Sequence, residues 1–289
     1  MQTSGYVHSV NLNQASAFPY LVLDVTNDYA FPRNAGFRVM HWHEDLQLIA
    51  VRSGRIEVRT PDDAFALEAG EGIFINKNVV HLVEKLGDCR YNSFIFPDYF
   101  LKFYAESPAS DLVARVTENA SLPVFPIRKD EAARPMRACL DTLVGLEQRK
   151  DETYPYAVLT MLCSFFLALY RALPAAPQTD GTALHRRMRL FLGFIQQHYG
   201  EAVTLESIAQ SAHVSPSECL RCFRQALQTS PYQYLTEYRL SKAAELLRCT
   251  DLPVAQIGEC VGFLQPSHFG ACFKRRRGCT PRAYRQSFR

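Results

Sequence analysis

Residues 1–30 lack a basic start followed by a continuous apolar core, so no secretory signal is expected. Long apolar runs are missing too. The longest, Ala157 to Tyr170, is shorter than the roughly 20 residues that cross a bilayer. Paired cysteine spacing is absent: the nine cysteines are scattered, and Cys219-x-x-Cys222 stands on an expected helix with no second pair. That argues against a zinc ribbon or a disulfide scaffold and fits small buried hydrophobes in a reducing cytoplasm. Net charge is small, 32 Lys and Arg against 29 Asp and Glu, so the whole-chain value identifies no partner. A cytoplasmic chain of about two domains is what remains.

What the sequence does contain is one helical unit twice. TLESIAQSAHVSPSECLRCFRQALQTSPYQYL is followed by VAQIGECVGFLQPSHFGACFKRRRGCTPRAYR. Ile208, Ser217, Phe223, Pro231 and Tyr234 fall on Ile257, Ser267, Phe273, Pro281 and Tyr284, at an offset of 49 and then 50 residues. A repeat fixes architecture before any single residue is interpreted. In the first copy Leu205, Ile208, Ala209 and Ala212 recur at helical spacing, with Thr204 as the expected N-cap. His213 occupies the turn position held by Gly262 in the second copy, where a left-handed residue is needed. Ser215-Pro216 then opens a second helix, with Cys219, Cys222, Phe223 and Leu227 inward and Ser217, Arg221, Arg224 and Gln225 outward. Helix, tight turn and helix make a helix-turn-helix, whose second helix enters the DNA major groove.

Charge is segregated to match. Residues 184–289 hold 15 Lys and Arg against 7 Asp and Glu, a net of +8, whereas the remainder holds 17 against 22, a net of −5. Such a division places a nucleic-acid-binding domain beside one that is not.

Ile257-Gly258-Glu259-Cys260-Val261-Gly262-Phe263, Ser267-His268-Phe269, Phe273-Lys274 and Gly278-Cys279-Thr280-Pro281-Arg282-Ala283-Tyr284-Arg285 carry a resemblance to the AraC/XylS family of bacterial transcription regulators. The resemblance implies two helix-turn-helix units joined by one rigid helix, Thr236 to about Arg248, that reach successive major grooves ~34 Å apart. Positions matching the family's base contacts are Ser217, Leu220 and Arg221, with Arg221 suited to guanine and Leu220 to a thymine methyl. Arg224 lies on the same outward face. The second copy has Ala271 where the first has Arg221, so Ser267, His268, Lys274 and Arg275 are expected mainly to grip phosphate.

From Gly36 to Phe96 the pattern is β. Arg55 to Arg59 alternates with period two, and Gly54, Pro61-Asp62-Asp63, Ala69-Gly70 and Gly87-Asp88 mark turns between short strands. Gly36, His41-x-His43, Gln47 and Gly54, then Gly70, Asn76, Asn78 and His81, resemble the two motifs of the cupin barrel. His41 and His43 share one strand face, with Trp42 opposite. The resemblance implies a divalent metal on His41, His43 and His81, but Gln47 stands where metal-binding cupins have Glu. The alternative is that these residues line the pocket of an organic effector, with Arg38 and Tyr91 further out and the Tyr6–Tyr29 segment as an arm over the mouth.

Prolines 108, 123 and 126 are expected to break any long element between Asp98 and Ile127. Met136, Leu140, Leu143, Val144 and Leu146 form a helical stripe, and Tyr156 to Leu173 is apolar on every side. Family resemblance makes these helices a dimer interface, with Leu159, Leu162, Phe166 and Leu169 at its centre. The resulting expectation is an α+β multidomain chain. A cupin-like β-barrel effector domain spans 1–128, a helical dimerisation segment 129–173, a linker 174–183, and an all-α double helix-turn-helix 184–289. Its function is expected to be sequence-specific regulation of transcription, as an activator, under a small-molecule effector. Partners are double-stranded DNA, the effector, a second copy and RNA polymerase. The rival reading is a metal-dependent cupin enzyme carrying a DNA-binding module. Gln47 and the lack of an acid/base pair weigh against it, so no enzyme is expected.

Overall fold

Strands begin well before Gly36. A computed structural model describes residues 7–9, 11–14, 16–33, 39–104, 107–119, 122–173, 183–227 and 229–286. Gly36, Arg38 and residues 174–182 of the expected linker lie outside these. Contacts gather the chain into two units, one of residues 11–186 and one built on 187–289.

In the first unit, β1 (Leu21–Thr26) and β2 (Tyr29–Phe31) form a hairpin, followed by the short β3 (His41–Trp42). Then come β4 (Leu46–Arg59), β5 (Ala64–Glu68), β6 (Gly72–Ile75), β7 (Leu82–Phe96) and β8 (Val124–Ile127). Seven of these make one antiparallel sheet in the order β2-β1-β7-β4-β6-β8, with β5 added along β4. Residues 21–26 are therefore a sheet strand rather than part of an arm. Gly54 and Gly87 do not separate short strands either. They lie inside β4 and β7, which run 14 and 15 residues. Gly54, at φ 71°, sits among the register shifts between the two, where a bulge bends the ladder without ending it.

Leu46 to Val51 is buried on both faces, which hides the alternation expected of a half-exposed strand. Leu46, Leu48 and Ala50 pack with Phe74 and Phe94 against two helices, while Ile49 and Val51 pack with Leu23, Val25 and Ile73 on the other side. The helices are α2 (Arg134–Arg149) and α3 (Tyr154–Ala172), preceded by a 3-10 turn (Asp98–Leu101) and α1 (Pro108–Thr117). Pro108 starts α1 instead of breaking it, because a first-turn residue needs no N–H partner, and Ser107 caps the helix. Pro126 sits in β8, the last strand of the sheet order, where a missing donor is tolerated.

Met136, Leu140, Leu143 and Val144 are the buried stripe of α2. Helix α3 is longer than its apolar core, 19 residues, long and apolar enough by length and composition to cross a membrane. Yet it is one-sided. Val158, Leu162, Phe165, Phe166 and Leu169 are buried in the core shared with the sheet and α2, while Tyr156 is 80% and Leu167 41% exposed. Leu162, Phe166 and Leu169 are thus spent inside their own chain and offer a partner nothing; only Leu159, half-buried, faces outward.

The second unit is all helical: α4 (Ala183–His198), α5 (Leu205–Ser211), α6 (Pro216–Leu227), α7 (Pro231–Cys249), α8 (Val254–Cys260), α9 (Pro266–Arg277) and α10 (Pro281–Gln286). Met188, Phe191, Leu192 and Ile195 bury one face of α4, with Phe191 stacked on Phe223 of α6. Thr204 and Ser207 exchange hydrogen bonds as a capping box at α5, and Ser230 with Gln233 does the same at α7. The rigid joining helix accordingly starts at Pro231, five residues earlier than Thr236. His213 and Gly262 both adopt the left-handed turn, φ 54° and 88°. Both second helices, α6 and α9, open on a proline followed by a serine.

Candidate nucleic-acid interface and imidazole cluster

On α6 the inward residues Cys219, Cys222, Phe223 and Leu227 are all buried, so Ser217, Leu220, Arg221 and Arg224 are left exposed in one stripe. Arg221 is held. Its Nε and Nη2 donate to the two carboxylate oxygens of Glu218 at 2.8 and 2.6 Å, one helical turn earlier. Arg187 of α4 donates to the same carboxylate, and these cations keep the Glu218 carboxyl below its ordinary range. Glu218 therefore occupies the Nε–Nη2 edge of the guanidinium, and the Nη1 edge is the one turned to solvent. Arg187 is no free phosphate grip. The i,i+3 spacing of Glu218 and Arg221 was readable in the sequence; the contribution of Arg187, 31 residues away, was not.

On α9, Phe269, Cys272 and Phe273 are buried and Ser267, His268, Lys274 and Arg275 are exposed. His268 Nε2 lies 3.3 Å from the Cys272 sulfur, and Arg275 Nη2 lies 3.7 Å from it on the other side. Arg276 is tied back to Glu237 of α7 at 2.6 Å. The basic run that closes α9 is thus divided between an outward group and a tether.

In the first unit, β3 and His81 form a two-residue antiparallel bridge: His41 N–H donates to His81 O at 3.0 Å, and His81 N–H to His41 O at 2.9 Å. That pairing brings the His41 and His81 rings to 4.4 Å, with His43 5.2 Å from His81. All three rings are buried, as is Trp42 on the opposite face. Each Nδ1 faces a backbone carbonyl: Val39 for His41 at 2.9 Å, Asp45 for His43 at 2.8 Å, and Val79 for His81 at 2.9 Å. A carbonyl only accepts, so each Nδ1 must carry the proton and each Nε2 presents a lone pair. One ring nitrogen from each histidine lies within 4.8 Å of the others, and the buried His81 Nε2 has no hydrogen-bond partner.

Gln47 belongs to the same face, beside His43, and its amide also meets the Ser93 hydroxyl at 2.7 Å. A neutral His43 has no Nε2 proton to offer. Gln47 Oε1 lies 2.9 Å from His43 Nε2 and Gln47 Nε2 2.7 Å from Ser93 Oγ; with His43 neutral, exchanging the amide's two ends gives N–H to the imidazole and oxygen to the serine hydroxyl, which accommodates either role. Burial lowers all three imidazole pKa values: His41 to about 4, with the neighbouring His43 adding to the effect, and His81 well below its ordinary value. The cluster stays neutral at physiological pH. Asn76 anchors the turn that follows β6, donating to Val116 O and Leu122 O, and Asn78 takes the left-handed conformation (φ 62°) that a glycine would otherwise supply. Tyr91 is buried in the apolar cluster of Val25, Val51 and Ile56, where burial raises its phenol.

The model of a helix-turn-helix domain matches residues 208–287, and the model of a cupin domain matches residues 29–94. The uncharacterized HTH-type transcriptional regulator YdeC of Bacillus subtilis is 26% identical over 256 residues, 87% of each chain. The RCS-specific HTH-type transcriptional activator RclR of Escherichia coli is 27% identical over 276 residues, 91% of this chain and 90% of that one. The HTH-type transcriptional activator RhaS of Escherichia fergusonii is 35% identical across 100 residues, 35% of this chain and 36% of that one. In both its helix-turn-helix and its cupin regions the chain is similar to AraC-type transcription regulators. The chain is a DNA-binding transcription regulator with a cupin front domain and a tandem helix-turn-helix back domain. In a helix-turn-helix the second helix is the one that enters the DNA major groove, and α6 and α9 hold that position here, each with an exposed face.

Proposed function

We propose that the chain activates transcription from a specific operator under the control of an effector read by the cupin domain, and that this effector is a divalent metal ion. One observation carries the metal reading: three buried, neutral imidazoles with their Nδ1 protons fixed on backbone carbonyls and their Nε2 lone pairs converging. A buried acceptor without a donor is costly in a dry site, and the Nε2 of His81 is such an acceptor. The residues fit such an ion: His41, His43 and His81 would hold it, and the carbonyls behind them orient the ligands. A bound ion would supply a Lewis-acid cross-link between β3 and the residue just before β7, stabilising the form of the cupin domain that keeps the three rings together. Burial of the rings also favours a regulatory ion over a cupin enzyme, since a substrate has to reach a catalytic centre.

The test is elemental analysis of the purified full chain. About one equivalent of zinc or a similar ion is expected, falling below a tenth in a His81→Ala chain, with operator affinity changed by chelation. Less than a tenth of an equivalent in the unaltered chain ends the metal reading.

A second reading rests on a different feature. A cavity of about 700 Å³ between α1, the 3-10 turn and the outer face of α3 is lined by Phe103, Leu112, Tyr156, Leu159 and Leu167, a size and chemistry that suit an apolar organic effector. We also place the homodimer contact on the outer face of α3, at Tyr156, Leu159 and Leu167, in place of its buried residues. RNA polymerase as partner and a cytoplasmic location complete the proposal.

At the DNA, we assign base reading chiefly to Ser217, Leu220 and Arg221 of α6, and phosphate contact to Arg224, Ser267, His268, Lys274 and Arg275. Arg221→Ala is expected to cost ~1–3 kcal/mol on the operator and to relax preference at one base pair. Competition gel shifts across single-base operator variants measure it. An equal loss on every sequence would make Arg221 a phosphate contact instead.

A further inference from the structure

Three pieces of backbone meet beside the joining helix. The loop after α4 (199–201) arrives from the first reading unit's side, and the turn 260–263 belongs to the second. Arg239 projects from α7 between them. Its Nε donates to Tyr199 O at 2.7 Å and its Nη2 to Glu201 O at 2.7 Å. Its guanidinium lies 6.0 Å from the ring centre of Phe263, in the range of a cation–π contact. Two glycines let the backbones close on it. A Cβ on Gly262 would stand 2.5 Å from Tyr199 O and 2.7 Å from Arg239 Nη2, and one on Gly200 would stand 2.9 Å from Cys260 O. Burial lowers the Arg239 pKa, and no carboxylate is among its hydrogen-bond acceptors: both are main-chain carbonyls.

A salt bridge at this point would hold two flexible side chains. A planar fork fixed on two carbonyls and laid on a ring holds backbone to backbone, which a lysine does not reproduce. The helix α7 sets the distance between the two reading units but leaves each able to roll about its own packing face. The Arg239 junction ties the loop of one directly to the turn of the other. We infer that Arg239 is a positioning residue for DNA recognition: it locks the two helix-turn-helix units in one relative orientation and so sets the operator spacing that the chain accepts. The consequence is thermodynamic. Two rigidly linked readers gain affinity because the second contact is intramolecular, and they lose it steeply when the two half-elements are moved apart.

The experiment uses the full chain and a site it selects from random DNA, together with versions carrying one or two extra base pairs between the half-elements and a version with one half-element scrambled. Arg239→Met removes the fork while keeping the stem, Arg239→Lys keeps the charge, and Gly200→Ala pries the junction without touching any charge. For the unaltered chain, a two-base-pair insertion is expected to weaken binding by at least about 30-fold. In all three variants the selected site should bind about tenfold more weakly, the single half-element should bind as before, and the insertion penalty should shrink to about threefold or less. If the variants lose affinity for full and half sites alike and keep the unaltered insertion penalty, Arg239 is a plain stabilising residue and the inference fails. Rescue of the spacing penalty by Arg239→Lys would equally overturn it, because charge alone would then suffice. Thermal melts accompany each measurement. Should Arg239→Met not fold, Gly200→Ala carries the same readout.

Discussion

Replacing Phe273 with alanine is expected to destabilise the second reading unit by about 3–5 kcal/mol and to reduce the footprint on DNA to a single groove. Phe273 is fully buried in the cluster made by Leu240, Ala243, Leu247, Ile257 and Phe269. Its ring meets Phe269 edge-on at 5.7 Å and Tyr284 at 5.4 Å, so one side chain fastens α9 to α7 and α10 together. The unit comprises three short helices on one end of α7. Removing the ring leaves a cavity that helices of 7, 12 and 6 residues cannot fill without moving. The equivalent residue, Phe223, is packed instead against Phe191 and Tyr234, so the first unit should survive. Circular dichroism melts with nuclease footprinting would measure both effects. An unchanged melting temperature with a full-length footprint would contradict the packing account.

Gly54→Ala is expected to cost the front domain roughly 2–5 kcal/mol, through a left-handed backbone and a main-chain collision together. At φ 71° any Cβ is strained, and here it would also stand 1.8 Å from Asp88 O on the paired strand. The bend that Gly54 permits falls midway along β4, between the doubly buried half that carries Gln47 and the alternating half that pairs with β5. Gly87→Ala is the matched control. Its φ of 101° imposes strain, but nothing lies within 4 Å of its missing Cβ. A cost near 1–2 kcal/mol is expected there, from conformation alone. Denaturant midpoints of the two variants separate the contributions; equal losses would mean that the Asp88 contact is relieved by an easy shift.

The legible parts of this sequence are those whose signals are local. Thr204 and Ser207 cap α5 within four residues, His213 and Gly262 mark their turns, and the inward set of α6 follows from helical spacing alone. The imidazole cluster was legible for a similar reason. His41 and His43 lie two residues apart, and motif spacing supplied His81. What stayed hidden depends on contacts made far along the chain. Arg187 on Glu218 and Arg239 on Tyr199 leave no trace in spacing. Helix α3 misled by composition: its exposed face carries Tyr156, Leu159 and Leu167, as apolar as its buried one, so hydropathy could not tell the core side from the outer side. Prolines and glycines misled by habit. Pro108 begins a helix, and Gly54 bends a strand without ending it.

Pro216 and Pro266 fix where the two second helices begin. Each opens the second helix of its unit with a ring that fixes φ before folding, and each is followed at once by an outward serine. A helix whose first residue is free to fray forward or backward would present its side chains at a drifting phase. Here the starting line is the same in both copies, so Ser217 and Ser267 hold the same first outward position, and the face that follows is dealt out in a set order.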